Sequence, residues 1–284
     1  MYNIVKMYSL VFIVVIGIIP LYGFTPSTMA SWSVPQNLVQ INTSDDDFAP
    51  GIFVKKSLLF YTSGTGSRRI TKYCGMAQID KQVVTLQSLP MKQKPVFLRF
   101  TSNDRVVLSI SHLGDRRSQM SVYSTTNDSL FLNNPALTPI VANEDYNSHP
   151  CSDPQGNSIV FASDRPGGFG GTDLWLISKL ADNTWSEPEN IGENINTPGN
   201  EITPFLVGND TLYFSSDGMG GKGGFEIMMS VREQGIWQPP IPLSDINSEN
   251  NESDFIVLPD KRALFSSDRT GGKGGWDLYI TKRQ

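Results

Sequence analysis

The stretch FASDRPGGFGGTDLWLIS at Phe161–Ser178 decides the fold because it recurs along the chain. Related versions are FSSDGMGGKGGFEIMMS at Phe214–Ser230 and FSSDRTGGKGGWDLYIT at Phe265–Thr281. The phenylalanines that open the three stretches are 53 and 51 residues apart. A period of about 50 residues, made of alternating apolar strand residues and glycine-rich turns, is typical of a β-propeller.

Two further patterns extend the period over the rest of the chain. A Trp followed three residues later by Pro occurs at Trp32, Trp185 and Trp237. Serines that end similar apolar strands step by 48, 52, 53 and 51 residues, and they are Ser63, Ser111, Ser163, Ser216 and Ser267. The sequence therefore predicts five blades of four antiparallel strands, A (innermost) to D (outermost), with approximate bounds 44–90, 91–137, 138–191, 192–243 and 244–284.

The two ends of the pattern predict how the ring closes. A D-type strand at 31–38 precedes the first blade, and the last residues follow a C-type strand. We expect the first strand to complete the last blade, which would remove both open sheet edges. A six-bladed ring and an incompletely closed ring remain alternatives at this stage.

The first 30 residues resemble an export signal rather than part of the fold. Lys6 precedes an apolar run over 7–21, and a polar stretch then ends in the small residue Ala30. This pattern predicts a signal peptide over 1–30, one propeller domain over 31–284, and a periplasmic, secreted or cell-surface location. Membrane contact is expected only if this segment is retained. The net charge of −5 gives no electrostatic footprint for nucleic acid.

Candidate binding residues precede strand A in each blade, where they should surround the mouth of the central channel. Acids occupy this position in three blades, and the register places other polar residues there in the remaining two; the set is Asp47, Lys92, Asn147, Glu201 and Glu252, with His149 beside it. Such a ring could hold a cationic peptide terminus or a loop of a partner. The alternative is that each acid braces its own loop by accepting backbone N–H bonds.

The loops between strands B and C share the same face of the ring as the D–A loops. Two arginine pairs lie in them and could form a basic patch for a carboxylate, phosphate or acidic glycan; they are Arg68, Arg69, Arg116 and Arg117. Solvated loops are the alternative. Acids nine residues apart, such as Asp164 and Asp173, flank the glycine-rich loops and leave calcium open as a cofactor. No other cofactor is predicted.

The glycine-rich motif and the Trp motif, which continues as INTPGNE at Ile195–Glu201, resemble the TolB-type, WD-like propeller repeats of bacterial envelope proteins, particularly those of Bacteroidetes. The resemblance covers residues 31–284 and implies a non-catalytic binding or scaffold propeller. It predicts a protein that is not an enzyme and that binds an envelope protein or peptide through the D–A/B–C face. We expect a monomer.

Two other function classes remain open. A glycan-active enzyme, similar to a glycosidase or sialidase, could take its acid and base from Asp47, Glu201 and Glu252. A purely structural envelope module would use the propeller as a rigid spacer and would have no separable ligand.

Overall fold

A computed structural model describes residues 31–65, 68–101, 105–112, 119–141, 143 and 145–284. The proposed signal peptide, residues 1–30, lies outside the described residues. The described residues form 21 β-strands together with short 3-10 turns. Their strands assemble into five separate antiparallel sheets, arranged as the blades of a propeller.

Each blade is assigned by the pairing of its strands. Blade 1 contains β2 (Asp47–Phe53), β3 (Leu58–Ser63), β4 (Ile70–Gly75) and β5 (Gln87–Ser88). Blade 2 contains β6 (Pro95–Phe100), β7 (Arg105–His112), β8 (Gln119–Thr126) and β9 (Thr138–Val141). Blade 3 contains β10 (Asn147–Ser152), β11 (Ser158–Ser163), β12 (Asp173–Ser178) and β13 (Glu189–Asn190).

The last two blades complete the ring. Blade 4 contains β14 (Glu201–Val207), β15 (Thr211–Ser216), β16 (Glu226–Glu233), β17 (Ile236–Trp237) and β18 (Ile241–Pro242). Blade 5 contains β19 (Glu252–Val257), β20 (Arg262–Ser267), β21 (Asp277–Lys282) and β1 (Gln36–Asn37). The predicted five-bladed, all-β fold is confirmed, and the six-bladed alternative is wrong.

Ring closure follows the prediction. β1 pairs antiparallel with β21, with Gln36 opposite Ile280 and Asn37 opposite Tyr279. The Ser33 N–H donates to the Lys282 carbonyl at 2.8 Å, which extends the pairing beyond the strand. The ring is therefore closed by β-strand hydrogen bonds, and the incompletely closed alternative is also wrong.

One predicted blade boundary is wrong. The sequence pattern ended blade 2 at residue 137, but β9 (Thr138–Val141) pairs with β8 and is the outer strand of that blade. Blade 3 therefore begins only after Val141. The periodic strands are apolar and buried, whereas β9 has an exposed first half and carries little of the repeat pattern.

Strands B and C hold the blades together because they pack on both of their surfaces. Phe161, Phe214 and Phe265, the residues that open the repeated stretch, are all fully buried between blades. A sheet covered on both faces needs apolar residues on both sides of each strand, which explains the continuous apolar runs. The core is consequently divided into clusters between neighbouring blades.

Strand A has an irregular backbone in every blade. The pairing of each A strand with its B strand shifts register near its start, after the second residue in four blades and after Pro95, the first residue of β6, in blade 2. In four blades the next residue has a left-handed backbone, with φ between 52° and 58°, at Ala49, His149, Thr203 and Asp254. Such backbone is unfavourable for residues other than glycine, and a bulge of this kind changes the direction of the side chains that it contains.

Hydrogen bonds between neighbouring blades stabilise these bulges. The Asp254 N–H donates to Thr203 Oγ1 at 3.2 Å, and the Ala49 N–H donates to Asp254 Oδ2 at 3.2 Å. Each bond joins one A strand to the A strand of the next blade. The axis is thus lined by polar contacts that connect blades 4, 5 and 1.

Candidate functional site

The three predicted acids, which are the first residues of their A strands rather than residues that precede them, are fully buried and support their own loops. Glu201 accepts hydrogen bonds from the Thr197 N–H at 2.8 Å, from Thr197 Oγ1 at 2.6 Å and from Ser216 Oγ at 2.7 Å. Burial raises the pKa of the Glu201 carboxyl, and the hydroxyl and amide donors oppose that shift. The carboxyl therefore connects the D–A loop to strand B.

The same arrangement recurs in other blades. Glu252 accepts from Ser248 and Ser267, and it also pairs with Arg269 at 2.9 Å. Asp47 accepts from the Thr43 N–H at 2.5 Å and from Thr43 Oγ1 at 2.9 Å. Burial raises the pKa of Asp47 as well. These contacts are the ones expected if each acid supports its own loop, which was the alternative to ligand binding. The binding role of the three acids stays a prediction.

Blades 2 and 3 carry different residues at this position. Asn147 is buried in blade 3, where its Oδ1 accepts from Ser163 Oγ at 3.0 Å and from Arg165 Nη2 at 2.5 Å. In blade 2, Pro95 pairs with Ile110, so the preceding residue, Lys94, occupies the position of the acids. Lys92 was assigned there from the sequence, and this is wrong by two residues; Lys92 is exposed.

The glycine-rich B–C loops pack against the D–A loop of the following blade. A Cβ at Gly274 would overlap the carbonyl oxygen of Asp45, so only glycine fits this contact. The flanking acids hold backbone amides: Asp173 accepts from Phe169 and Asp217 accepts from Asn200. Within the described ranges, no group of three or more His, Cys, Asp or Glu residues is arranged to hold a metal ion.

The arginine pairs are only partly described. Arg68 is exposed, whereas Arg69 is half-buried with its guanidinium 5.2 Å from the centre of the Phe48 ring. Arg116 and Arg117 lie outside the described residues. The predicted basic patch therefore stays a prediction, with one of its members packed on an aromatic ring beside the channel.

His149 is buried, with 8% of its surface exposed, rather than open to solvent at the channel mouth. Its ring is 3.7 Å from the ring centre of Phe97, and its Nδ1 has no hydrogen-bond partner among the described residues. Burial, helped by the charge of Arg99, lowers the pKa of His149 to about 3. His149 is therefore neutral at physiological pH.

The sequence analysis missed two buried charged residues on A strands, Arg99 and Asp254. Arg99 is 7% exposed, and its Nη1 donates to the Pro50 carbonyl at 2.7 Å and to the Leu98 carbonyl at 3.1 Å. Asp254 is buried, and burial raises the pKa of its carboxyl despite the nearby charge of Arg99. A guanidinium and a carboxyl group are thus both buried near the axis, and they form no ion pair with each other in the described parts of the chain.

The axial funnel is a cavity of about 540 Å³ on the face that carries the A–B and C–D turns, which we call the turn face. Every blade contributes the end of its A strand to the wall, through Phe53, Phe100, Cys151, Phe205 and Leu258. The rim is open to solvent at Val54 and Val207, which are 58% and 42% exposed. Arg99 and Cys151 line its buried part.

One signal in the sequence could have indicated the funnel. The fifth residue after the acid position is Ile52, Ser152, Leu206 and Val257 in four blades, whereas it is Arg99 in blade 2. A lone charge among uncharged residues of a buried strand is a candidate functional group. This charge is recognised only when strand A of blade 2 is correctly aligned with the other A strands, and the weak repeat in blade 2 did not allow that alignment.

No family model and no characterised protein sequence matches this chain. Solved structures do match. A gluconolactonase from Xanthomonas campestris has a TM-score of 0.54 and 11% identity, over 88% of this chain and 89% of its own. An endo-arabinase from Bacteroides thetaiotaomicron has a TM-score of 0.54 and 14% identity, over 89% and 97%.

TolB from Acinetobacter baumannii is also similar, with a TM-score of 0.48 and 12% identity over 84% of this chain. The match spans 55% of the TolB chain. The chain is a five-bladed β-propeller. The fold implied by the resemblance to TolB-type repeats is thus confirmed by the sheets themselves, and identities this low show the fold alone.

The prediction that the chain is not an enzyme must be corrected. Similar propellers include several glycoside hydrolases, a gluconolactonase and a luciferin-regenerating enzyme. The fold therefore gives no reason to exclude catalysis. Among the residues that the structure describes, no helix is both long and apolar enough to span a bilayer.

Proposed function

We propose that this protein is a ligand-binding propeller that holds an apolar segment of a protein or peptide partner in the axial funnel on the turn face. The funnel itself carries the proposal. It is formed by all five blades, its wall contains three phenylalanines, and its volume of about 540 Å³ is within the 300–1,000 Å³ typical of binding sites.

The opposite face, with its D–A and B–C loops, was the face predicted from the sequence. Its acids accept hydrogen bonds from their own loops, and this use lowers their capacity to bind a partner. Binding there stays untested, but the funnel favours the turn face. A partner in the bacterial envelope, reached by export through residues 1–30, is part of the proposal.

Site-specific crosslinking tests which face binds. A photo-reactive amino acid at Val54 or Val207 would report on the funnel rim, and matched positions Val34 and Val83, each 82% exposed, would report on other surfaces. We expect Val54 and Val207 to give the same crosslinked partner in the producing cell, and Val34 and Val83 to give none. Equal crosslinking from all four positions would contradict the proposal.

Affinity provides a second test with the captured partner. The double variant Val54→Glu and Val207→Glu places two charges on the rim without changing the core. We expect at least a tenfold loss of affinity, because a charge at an apolar contact must be desolvated on binding. The matched variant Val34→Glu should bind normally, and both variants should melt within about 2 °C of the wild type, since exposed substitutions change stability little.

A further inference from the structure

Arg99 lacks the partner that a buried guanidinium normally has. Both bonds of its Nη1 go to backbone carbonyls, and its Nε is buried with no hydrogen-bond partner among the described residues. It forms no ion pair within the described parts of the chain. Buried charges in proteins are generally paired, because removing an unpaired charge from water is costly.

Asp254 does not supply this partner. Its Oδ2 accepts from the Ala49 N–H at 3.2 Å and from Ser266 Oγ at 3.0 Å, so the carboxyl is held by blades 1 and 5. Burial raises its pKa, which favours the neutral acid. The neighbouring His149 is neutral and Cys151 is a thiol whose pKa burial also raises. Asp153, a buried acid in the same wall, accepts from the Asn157 N–H and from Ser158 Oγ and forms no ion pair with Arg99 in the described parts of the chain. The guanidinium of Arg99 is therefore a cation in the funnel wall without a carboxylate partner among the described residues.

The wall above Arg99 combines apolar and polar groups. Phe100, Phe205 and Leu258 provide apolar surface. Polar groups come from the Ser152 hydroxyl on β10 and from the Thr101 hydroxyl, which follows β6 and exchanges hydrogen bonds with the Arg105 backbone. The charged residues Lys55 and Asp153 also line the wall. A fatty acid would use the apolar surface alone. A peptide has both apolar side chains and backbone amides, and it fits a wall of this mixed composition better.

We propose that the funnel receives the free C-terminus of an apolar peptide segment, with the terminal carboxylate directed to Arg99. This inference rests on the proposed function and names the chemistry of its ligand. The guanidinium presents N–H donors in the planar arrangement that matches a carboxylate. The apolar residues before the terminus then lie against Phe100, Phe205 and Leu258.

The test compares two pools of N-acetylated tetrapeptides made of Leu, Val and Phe, one with free carboxylates and one with C-terminal amides. Binding to the full-length protein is measured by fluorescence anisotropy. We expect the acid pool to bind at least tenfold more tightly than the amide pool. Lauric acid is a third probe, and we expect it to bind more weakly than the peptide acids.

Variants separate the role of the charge from that of the funnel. In Arg99→Met the preference for the acid pool should disappear, whereas in the double variant Val54→Glu and Val207→Glu both pools should bind weakly. Arg99 also joins blades 1 and 2, so Arg99→Met can lower stability. If this variant does not fold, the ratio of acid-pool to amide-pool affinity in the wild type, which needs no variant, decides whether the funnel recognises a carboxylate.

Each result has a definite meaning. Equal binding of both pools, lost in the rim variant, overturns carboxylate recognition and leaves the proposed function intact. Tighter binding of lauric acid than of either pool overturns the peptide as ligand. Binding of none of the three probes overturns this inference, and the crosslinking at Val54 and Val207 then decides the proposed function separately.

Discussion

Blades 5 and 2 use the start of strand A in opposite ways. In blade 5, Glu252 is buried and bonded to Ser248, Ser267 and Arg269. In blade 2, Lys94 is exposed at the same register, and the strand instead turns an arginine into the funnel. The comparison indicates that the repeated residues stabilise the ring, and that the blade departing most from the repeat contributes the unusual chemistry.

The largest expected difference between the two blades is in the effect of removing the acid from blade 5. We expect Glu252→Ala to lower the free energy of unfolding by about 3–5 kcal/mol, because it leaves the Arg269 charge without its carboxylate and two hydroxyl donors without their acceptor. Lys94→Ala in blade 2 should change it by less than about 0.5 kcal/mol. Urea unfolding measures both changes. Equal losses of unfolding free energy in the two variants would show that the two positions contribute equally to stability.

Glycine loops offer a second contrast, of intermediate size. A Cβ at Gly274 in blade 5 would meet the Asp45 carbonyl, whereas at Gly75 in blade 1 the nearest atom is the Gln78 side chain at 3.8 Å. We expect Gly274→Ala to cost about 1–3 kcal/mol through overpacking and Gly75→Ala to be neutral or slightly stabilising. A normal melting temperature for Gly274→Ala would mean that the loop does not pack against the next blade.

The smallest expected effect is in the pH dependence of stability, which tests the electrostatic environment of the buried Asp254. Burial raises the pKa of Asp254, so the folded state binds its proton more tightly than the unfolded state. The stability of the wild type relative to Asp254→Asn should therefore fall as pH rises from about 4 through the raised pKa. The charge of Arg99 and the hydrogen bonds from Ala49 and Ser266 oppose the rise in the pKa of Asp254 and so moderate this change.

Asp260 on the turn face should behave in the opposite way. Burial raises its pKa, but the hydrogen bonds and charge of Arg262 outweigh burial and lower it. The wild type should thus gain stability relative to Asp260→Asn as pH rises through the ordinary carboxyl range. Thermal melts from pH 3 to pH 7 compare the two variants, and slopes of the same sign would contradict the assignment.

The fold could be predicted because the residues that repeat with its period occupy positions that require an apolar side chain or glycine. Phe161, Phe214 and Phe265 face neighbouring blades, and Gly274 meets backbone, so these positions admit few alternatives. The ring closure was predictable for a related reason: a D-type strand without its own blade has to pair elsewhere.

The site was harder to predict because it depends on local register. The bulge in strand A sets which residues face the axis, and a proline in blade 2 hides the alignment, so Lys92 was chosen in place of Lys94. The left-handed backbone at His149 and Asp254 leaves no clear mark in the sequence. Spacing alone also could not distinguish acids that bind a ligand from acids that support a loop.

Ring closure also has a consequence for how the chain folds as it is synthesised. Ser31 Oγ donates to the Gln284 side chain, and the Gln284 N–H donates to the Ser31 carbonyl at 2.8 Å. Among the described strands, the first in the chain, β1, therefore pairs with the last, β21. Blade 5 can be completed only after every strand between them has been synthesised, and until then β1 has no partner strand, so a chaperone would have reason to cover it.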